Sequence, residues 1–146
     1  MSKQASRGFP PIAAPDARVL ILGSLPGLAS LAARQYYAQP HNAFWRIMGE
    51  LFDAGPDVPC AERADRLRAS GIALWDVCRE AVRRGSLDAA IDPTTVVTND
   101  FRRFLREHPR IAHVCVNGGT AYRLYVRRVQ PLLPEPLSSL PLHLLP

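Results

Sequence analysis

The sequence predicts an α/β domain built on a parallel sheet covered on both faces. Three observations carry this prediction. Apolar runs of strand length recur at residues 18–22, 72–76 and 111–116. Stretches of helical periodicity separate them, which is the order of a crossover-connected parallel sheet. Polar residues, Ser24, Asp76 and Asn117, stand at the carboxyl ends of the runs, where ligands bind in open sheets of this kind.

In chain order, residues 1–17 read as an extended Pro/Ala arm. The run Val19-Leu20-Ile21-Leu22 is a buried strand, and Gly23-Ser24-Leu25-Pro26-Gly27 is the turn that leaves it. Residues 28–36 read as a helix, ended before Pro40. Residues 43–52 form a second helix with Phe44, Ile47, Met48 and Leu51 on one stripe and Asn42 at the N-cap position. A Pro/Gly loop at 55–59 leads to a charged helix at 61–69. The second strand follows at 72–76. Residues 78–84 continue as a turn or short helix. A helix at 100–108 has Asn99 as its expected cap. The third strand, 111–116, ends at Asn117-Gly118-Gly119, and a helix at 120–129 follows that turn.

The 146 residues suit one domain, and a hydrophobic fraction of 47% supplies a core for it. No apolar run approaches the roughly 18–20 residues that cross a bilayer. The first residues lack the apolar centre of a secretory signal, so a cytoplasmic location is expected. Cys60, Cys78 and Cys115 are far apart and share no metal-type spacing. No metal and no cofactor are expected. The net charge is +5, and Lys3 is the only lysine, so the excess is arginine. Arginine suits phosphate and stacking contacts, and a basic balance is compatible with a nucleic-acid partner.

Residues 23–45, GSLPGLASLAARQYYAQPHNAFW, concentrate the chemistry. The turn lacks the spacing of dinucleotide or P-loop motifs, but its backbone N–H groups can face a base carbonyl or a phosphate. Tyr36, Tyr37, Phe44 and Trp45 can stack on bases or pack as core. Core is the first reading for Phe44 and Trp45 on their helix; Tyr37, beside a loop, favours stacking. The Asn42 amide can orient a water or read a base edge, and it equally serves as a helix cap. Asp76 and Asn117 can each close a strand or reach a ligand. An aromatic-walled pocket with an amide inside suits an enzyme that holds a planar base.

Taken together, FPPIAAPDARVLILGSLPG, QYYAQPHNAFWRIMG, LWDVCREAVRRGSLDAAI and NGGTAYRLY resemble the uracil-DNA glycosylase superfamily, closest to its hypoxanthine-type branch, the DNA-deoxyinosine glycosylases. The resemblance runs from about residue 9 to about residue 130. It implies a three-layer α/β/α fold with a short, mostly parallel central sheet. It implies a monofunctional hydrolase that flips a deaminated base, hypoxanthine first and uracil second, out of double-stranded DNA and cleaves its N-glycosidic bond in base excision repair. Members usually carry Asp or Asn in the first turn to handle the attacking water. Leu25 stands there in this chain, which argues for the hypoxanthine-type branch, whose important amide corresponds to Asn42. Asn42 is then the catalytic residue. Gly23, Ser24, Pro26, Gly27, Tyr37, Phe44 and Asn117 bind the base, and the chain acts as a monomer without a membrane partner. With Lys3 the sole lysine, a Schiff-base step is not expected.

The end of the chain departs from the family pattern. Members continue with a last strand, a loop resembling LPSTSPA and a helix. Residues 131–146, a Pro/Leu-rich tail ending Leu140-Pro141-Leu142-His143-Leu144-Leu145-Pro146, replace them. The codons of such a run, read two bases later, can spell Pro/Ala-Ser-Thr-Ser-Pro-Ala. A frameshift near Pro136 to Leu140 is therefore expected, with the last strand and helix missing from the domain at 18–130. The alternative function is a catalytically impaired, damaged-DNA-binding remnant of the family.

Overall fold

The computed structural model of the chain describes residues 4–145. Lys3 and the rest of residues 1–3, and residue 146 of the tail, lie outside the described residues. Four parallel strands form the central sheet in the order β3-β2-β6-β7: β2 (Val19–Gly23), β3 (Ile72–Asp76), β6 (His113–Asn117) and β7 (Leu142–Leu145). Alternate side chains of the inner strands go to opposite faces, as the pleat requires. Leu20, Leu22, Ala73, Trp75, Val114 and Val116 pack on one side with Phe101, Phe104 and Leu105 of α4 (Phe101–Glu107) and with Ala121 of α5 (Gly119–Leu124). Ile21, Ile72 and Leu74 pack on the other side with Phe44, Trp45 and Met48 of α2 (Phe44–Phe52) and Leu67 of α3 (Cys60–Ala69). Helices on both faces of one parallel sheet make three layers, as expected.

Several local expectations are corrected. The first helix, α1, is shorter than its periodicity suggests, Leu28–Ala33, because Arg34 takes a left-handed conformation that ends it. In α2, Phe44, Trp45 and Met48 are buried while Ile47 and Leu51 are 49% and 63% exposed. The inward face is thus rotated from the anticipated stripe, toward the Trp45 indole, which donates to the Tyr36 carbonyl at 2.7 Å. Residues 78–81 are not helical. They form strand β4 (Cys78–Ala81), antiparallel to β1 (Ser6–Arg7) and to β5 (Val97–Thr98). Asp100, not Asn99, caps α4, accepting from the Arg103 N–H at 3.1 Å. After α5 the chain continues through a π-helical turn, Tyr125–Val129.

The last strand is present, which corrects the expectation that it is missing. Leu142–Leu145 pairs in parallel with β6, with Val114 opposite Leu142 and Asn117 opposite Leu145. Leu142 joins the core on one face and Leu145 on the other, while His143 and Leu144 are exposed. A leucine-rich segment can do this because an edge strand needs only a few apolar contacts per face once β6 supplies the hydrogen bonds.

The N-terminal arm is tied to the sheet. Ile12 exchanges both backbone hydrogen bonds with Leu74, at 2.9 and 2.8 Å. The buried Tyr36 hydroxyl donates to the carbonyls of Phe9 and Pro10, and the Trp75 indole N–H also donates to the Phe9 carbonyl. Among the described residues no helix is long and apolar enough to cross a membrane.

Candidate active site

The carboxyl ends of β2, β3 and β6 open onto one cavity of about 450 Å³. Its walls come from four segments: the turn after β2, residues 36–42, the end of β3 with the loop carrying Ser86 to Asp88, and Asn117 at the end of β6. Parallel strands all point their carboxyl ends to the same side, so residues distant in sequence converge there.

The turn from Gly23 to Gly27 is held from behind. Its carbonyls are all engaged: Gly23 and Ser24 by the N–H groups of Val77 and Cys78, Gly27 by Leu31, and Leu25 and Pro26 by the Arg83 guanidinium. Arg83 is buried, donates also to the Gly85 carbonyl, and lies 3.5 Å from Asp88 Oδ1. The N–H groups of Ser24, Leu25 and Gly27, all on cavity-lining residues, find no acceptor among the described residues. These N–H groups are therefore available to donate to a molecule held in the cavity. The Ser24 hydroxyl donates to Asp88 at 2.7 Å. Leu25 is buried in a small cluster with Cys78, Ala81 and Ile91.

Tyr37 forms a wall. Its backbone has φ = 51°, a left-handed conformation uncommon for a bulky residue. One ring face stacks on Phe44, with centroids 4.0 Å apart and planes 23° from parallel. Its hydroxyl accepts from the Asn117 amide at 3.3 Å. Burial, with the nearby Asp76 charge, raises the pKa of that hydroxyl, so it stays protonated at neutral pH. Phe44 does not line the cavity; it backs Tyr37 from the core. Asn42 does line it, and its Oδ1 accepts from the Phe44 N–H at 2.9 Å. The side chain therefore braces the start of α2 from one residue before the cap position, which Ala43 occupies.

Of the residues expected at the site, Gly23, Ser24, Pro26, Gly27, Tyr37, Asn42 and Asn117 are brought together around the cavity, and Phe44 stands one layer behind. Asp76, read from the sequence as a strand-end residue that can close its strand or reach a ligand, also lines the cavity; Arg83 and Asp88 were not anticipated there. Asp76 is 4% exposed and lines the cavity floor. Burial, then the Asp88 carboxylate, pushes its pKa up to about 7 against the opposing pull of Arg83. Its position at a strand end is a signal present in the sequence; the positions of Asp88 and Arg83 depend on the loop that follows β4. The adjacent Cys78 thiol is pushed up to about 12, chiefly by burial, and is no nucleophile at neutral pH. Among the described residues no cluster of His, Cys, Asp and Glu has the makings of a metal site.

The sequence profile of the Uracil DNA glycosylase superfamily matches residues 10–141. The chain belongs to that superfamily. It is 35% identical to a protein of Methanosarcina acetivorans named hypoxanthine DNA glycosylase, over 79% of this chain and 72% of the relative. It is 37% identical to a protein of the same name from Methanosarcina barkeri, over 81% of this chain and 72% of that one. The fold superposes with a TM-score of 0.78 on the solution NMR structure of a uracil DNA glycosylase candidate from M. acetivorans, at 32% identity. That match covers 98% of this chain and 84% of the other. The superfamily match extends beyond residue 130, where the sequence resemblance ends, to residue 141.

Proposed function

We propose that this chain is a monofunctional DNA glycosylase that releases hypoxanthine from deoxyinosine in duplex DNA, with uracil a poorer substrate. Membership of the superfamily and relatives named hypoxanthine DNA glycosylase make it a hydrolytic DNA N-glycosylase. The observation that carries the finer reading is the cavity itself, which joins a stacking wall, an amide and unpaired backbone donors without an acid in the first turn. The target nucleotide leaves the duplex stack at a cost of a few kcal/mol, lowest for a mispair. Its base stacks on the Tyr37 face opposite Phe44. Exposed arginines Arg123, Arg127 and Arg128 share a depression with Asp88 next to the cavity and suit the DNA phosphates.

In the reaction, the bond from the sugar C1′ to the base nitrogen breaks and its electron pair leaves with the base. A water oxygen bonds to C1′, a proton leaves that water, and the base nitrogen gains one. Asn42 positions the water: its Oδ1 retains a second lone pair beside the bond from Phe44, and its Nδ2 has two donors. The free N–H groups of the turn and the Asn117 amide stabilise the departing base as it gains negative charge.

The test is release of free hypoxanthine from an inosine-containing duplex. Asn42→Ala is expected to lower the single-turnover rate by about 100-fold or more. It also loses a helix-start hydrogen bond worth about 1 kcal/mol, so a melt is run alongside. A folded Asn42→Ala protein with undiminished release refutes the role of Asn42. Tight binding of inosine duplex with no release by the unaltered chain would favour the DNA-binding remnant instead.

A further inference from the structure

We propose that Leu87, on the loop after β4, is an apolar wedge that enters the duplex as the target nucleotide leaves it. This rests on the glycosylase reading above and deepens it, because it names a residue that holds the extruded state open. Leu87 is 75% exposed and lines the cavity. A single exposed leucine is ordinary on a protein surface. This one differs by its place. Among the described residues, the other strongly exposed leucine, isoleucine and valine side chains (Leu28, Ile47, Leu51, Val97, Leu132 and Leu144) do not line the cavity.

The chain on both sides of Leu87 is pinned. Gly85 turns it with φ = 67°, a left-handed conformation that glycine adopts freely, and Arg83 Nε donates to the Gly85 carbonyl at 3.1 Å. Ser86 Oγ accepts from the Leu28 N–H at 2.8 Å. Asp88 accepts from the Ser24 hydroxyl at 2.7 Å and lies 3.5 Å from the Arg83 guanidinium. The Leu87 carbonyl accepts from the Ala90 N–H at 3.0 Å, at the 3-10 turn Asp88–Ala90. The leucine is thus presented to solvent by a braced backbone. Such a side chain is already placed to bury itself in a partner, with little further ordering to be done on binding.

The surroundings of the loop indicate what that partner is. Asp88, the next residue, borders both the cavity and the depression that carries the exposed Arg123, Arg127 and Arg128, and Ala89 borders the depression. A duplex with its phosphates on those arginines and one nucleotide in the cavity therefore crosses the loop at Leu87. The Arg83 guanidinium offsets the Asp88 charge that the phosphates would meet there. Extrusion of a nucleotide opens a gap between the flanking base pairs, walled by the faces of the bases. A leucine side chain fills such a gap, buries its own apolar surface in it and hinders return of the nucleotide. A polar side chain would lose its hydration there without replacing it.

The experiment compares single-turnover release of hypoxanthine from an inosine-containing duplex and from the same strand alone, for the unaltered protein and Leu87→Ala. A single strand has no base-pair gap to fill, so the ratio of the two rates isolates the wedge from any other effect of the substitution. Leu87→Ala is expected to lower the duplex-to-single-strand ratio by about 30-fold, the factor that burial of a leucine side chain is worth. Because the side chain is exposed, truncating it should leave the fold intact. Extrusion is read separately on a duplex with 2-aminopurine beside the target nucleotide. A fluorine at C2′ of the target destabilises the sugar cation and blocks cleavage. Unstacking by the unaltered protein should raise the fluorescence, and Leu87→Ala should lose most of that rise. An unchanged rate ratio, or a fluorescence rise equal in the two proteins, overturns the proposal. If the unaltered protein releases nothing from either substrate, the glycosylase reading fails by itself. The fluorescence then decides the wedge: a rise that Leu87→Ala loses upholds it, and an equal rise or none overturns it.

Discussion

Replacing Asp76 with asparagine should stabilise the fold progressively as pH rises. In the unfolded chain the carboxyl ionises near its ordinary value of 3.8; in the folded protein it does so near 7. Between those values the native state binds a proton that the unfolded chain has released, so stability falls as pH rises through the window. Below it both states are protonated and the site costs nothing. Above it the full cost is present. Three pKa units at 1.36 kcal/mol each set that cost at about 4 kcal/mol. Asparagine cannot ionise, so it escapes the cost, although its own buried amide adds a pH-independent penalty of about 1–3 kcal/mol. The quantity to measure is thus the stability difference between Asp76→Asn and the unaltered protein, by urea unfolding from about pH 4 to about pH 8. It should move by about 4 kcal/mol in favour of asparagine, or about 10 °C in melting temperature for a chain of this size. Other titrating groups, common to both proteins, cancel. A difference that stays flat with pH means Asp76 ionises as in water, and the reasoning about its burial and about Asp88 is wrong.

Two further outcomes follow from the turn that Arg83 and Gly23 shape. Arg83→Ala strips partners from the carbonyls of Leu25, Pro26 and Gly85 and from Asp88, and should lower stability by about 3–5 kcal/mol. Arg83→Lys should not restore it, because an ammonium lacks the planar fork that spans these acceptors; recovery of the melting temperature by lysine would contradict this. Gly23→Ala puts a methyl group within 2.6 Å of Asp76 Oδ1 and 2.9 Å of the Tyr37 hydroxyl. Displacing both is expected to slow base release about 100-fold, and a rate close to that of the unaltered protein would mean the floor is not where the base is read.

The central sheet was legible because β2 and β3 are buried on both faces and leave continuous apolar runs. What escaped had no local signature. Cys78-Arg79-Glu80-Ala81 has two polar residues between two buried ones and so shows no period of two, and its partners, Ser6–Arg7 and Val97–Thr98, are remote in sequence. The edge strand Leu142–Leu145 was hidden by a proline- and leucine-rich context that reads as low complexity. At the site, Tyr37, Asn42 and Asn117 could be named because aromatic and amide residues at loops and strand ends are conspicuous. Asp76 was visible as a strand-end acid, but its state was not. That state depends on Asp88 and Arg83, which reach it only through the loop after β4.

Leu25 shows how these parts depend on one another. Read from the sequence, it marks only the absence of a polar residue in the first turn. In the fold it is an anchor, buried with Cys78, Ala81 and Ile91. A polar side chain at that position would bring water into the cluster beside Cys78 and loosen the turn that Arg83 pins. Leu25 and Asp76 line the same cavity, and an apolar side chain there adds to the low-dielectric surroundings that disfavour an ionised carboxylate. A leucine in the first turn keeps a further carboxylate out of the cavity in which burial already raises the pKa of Asp76.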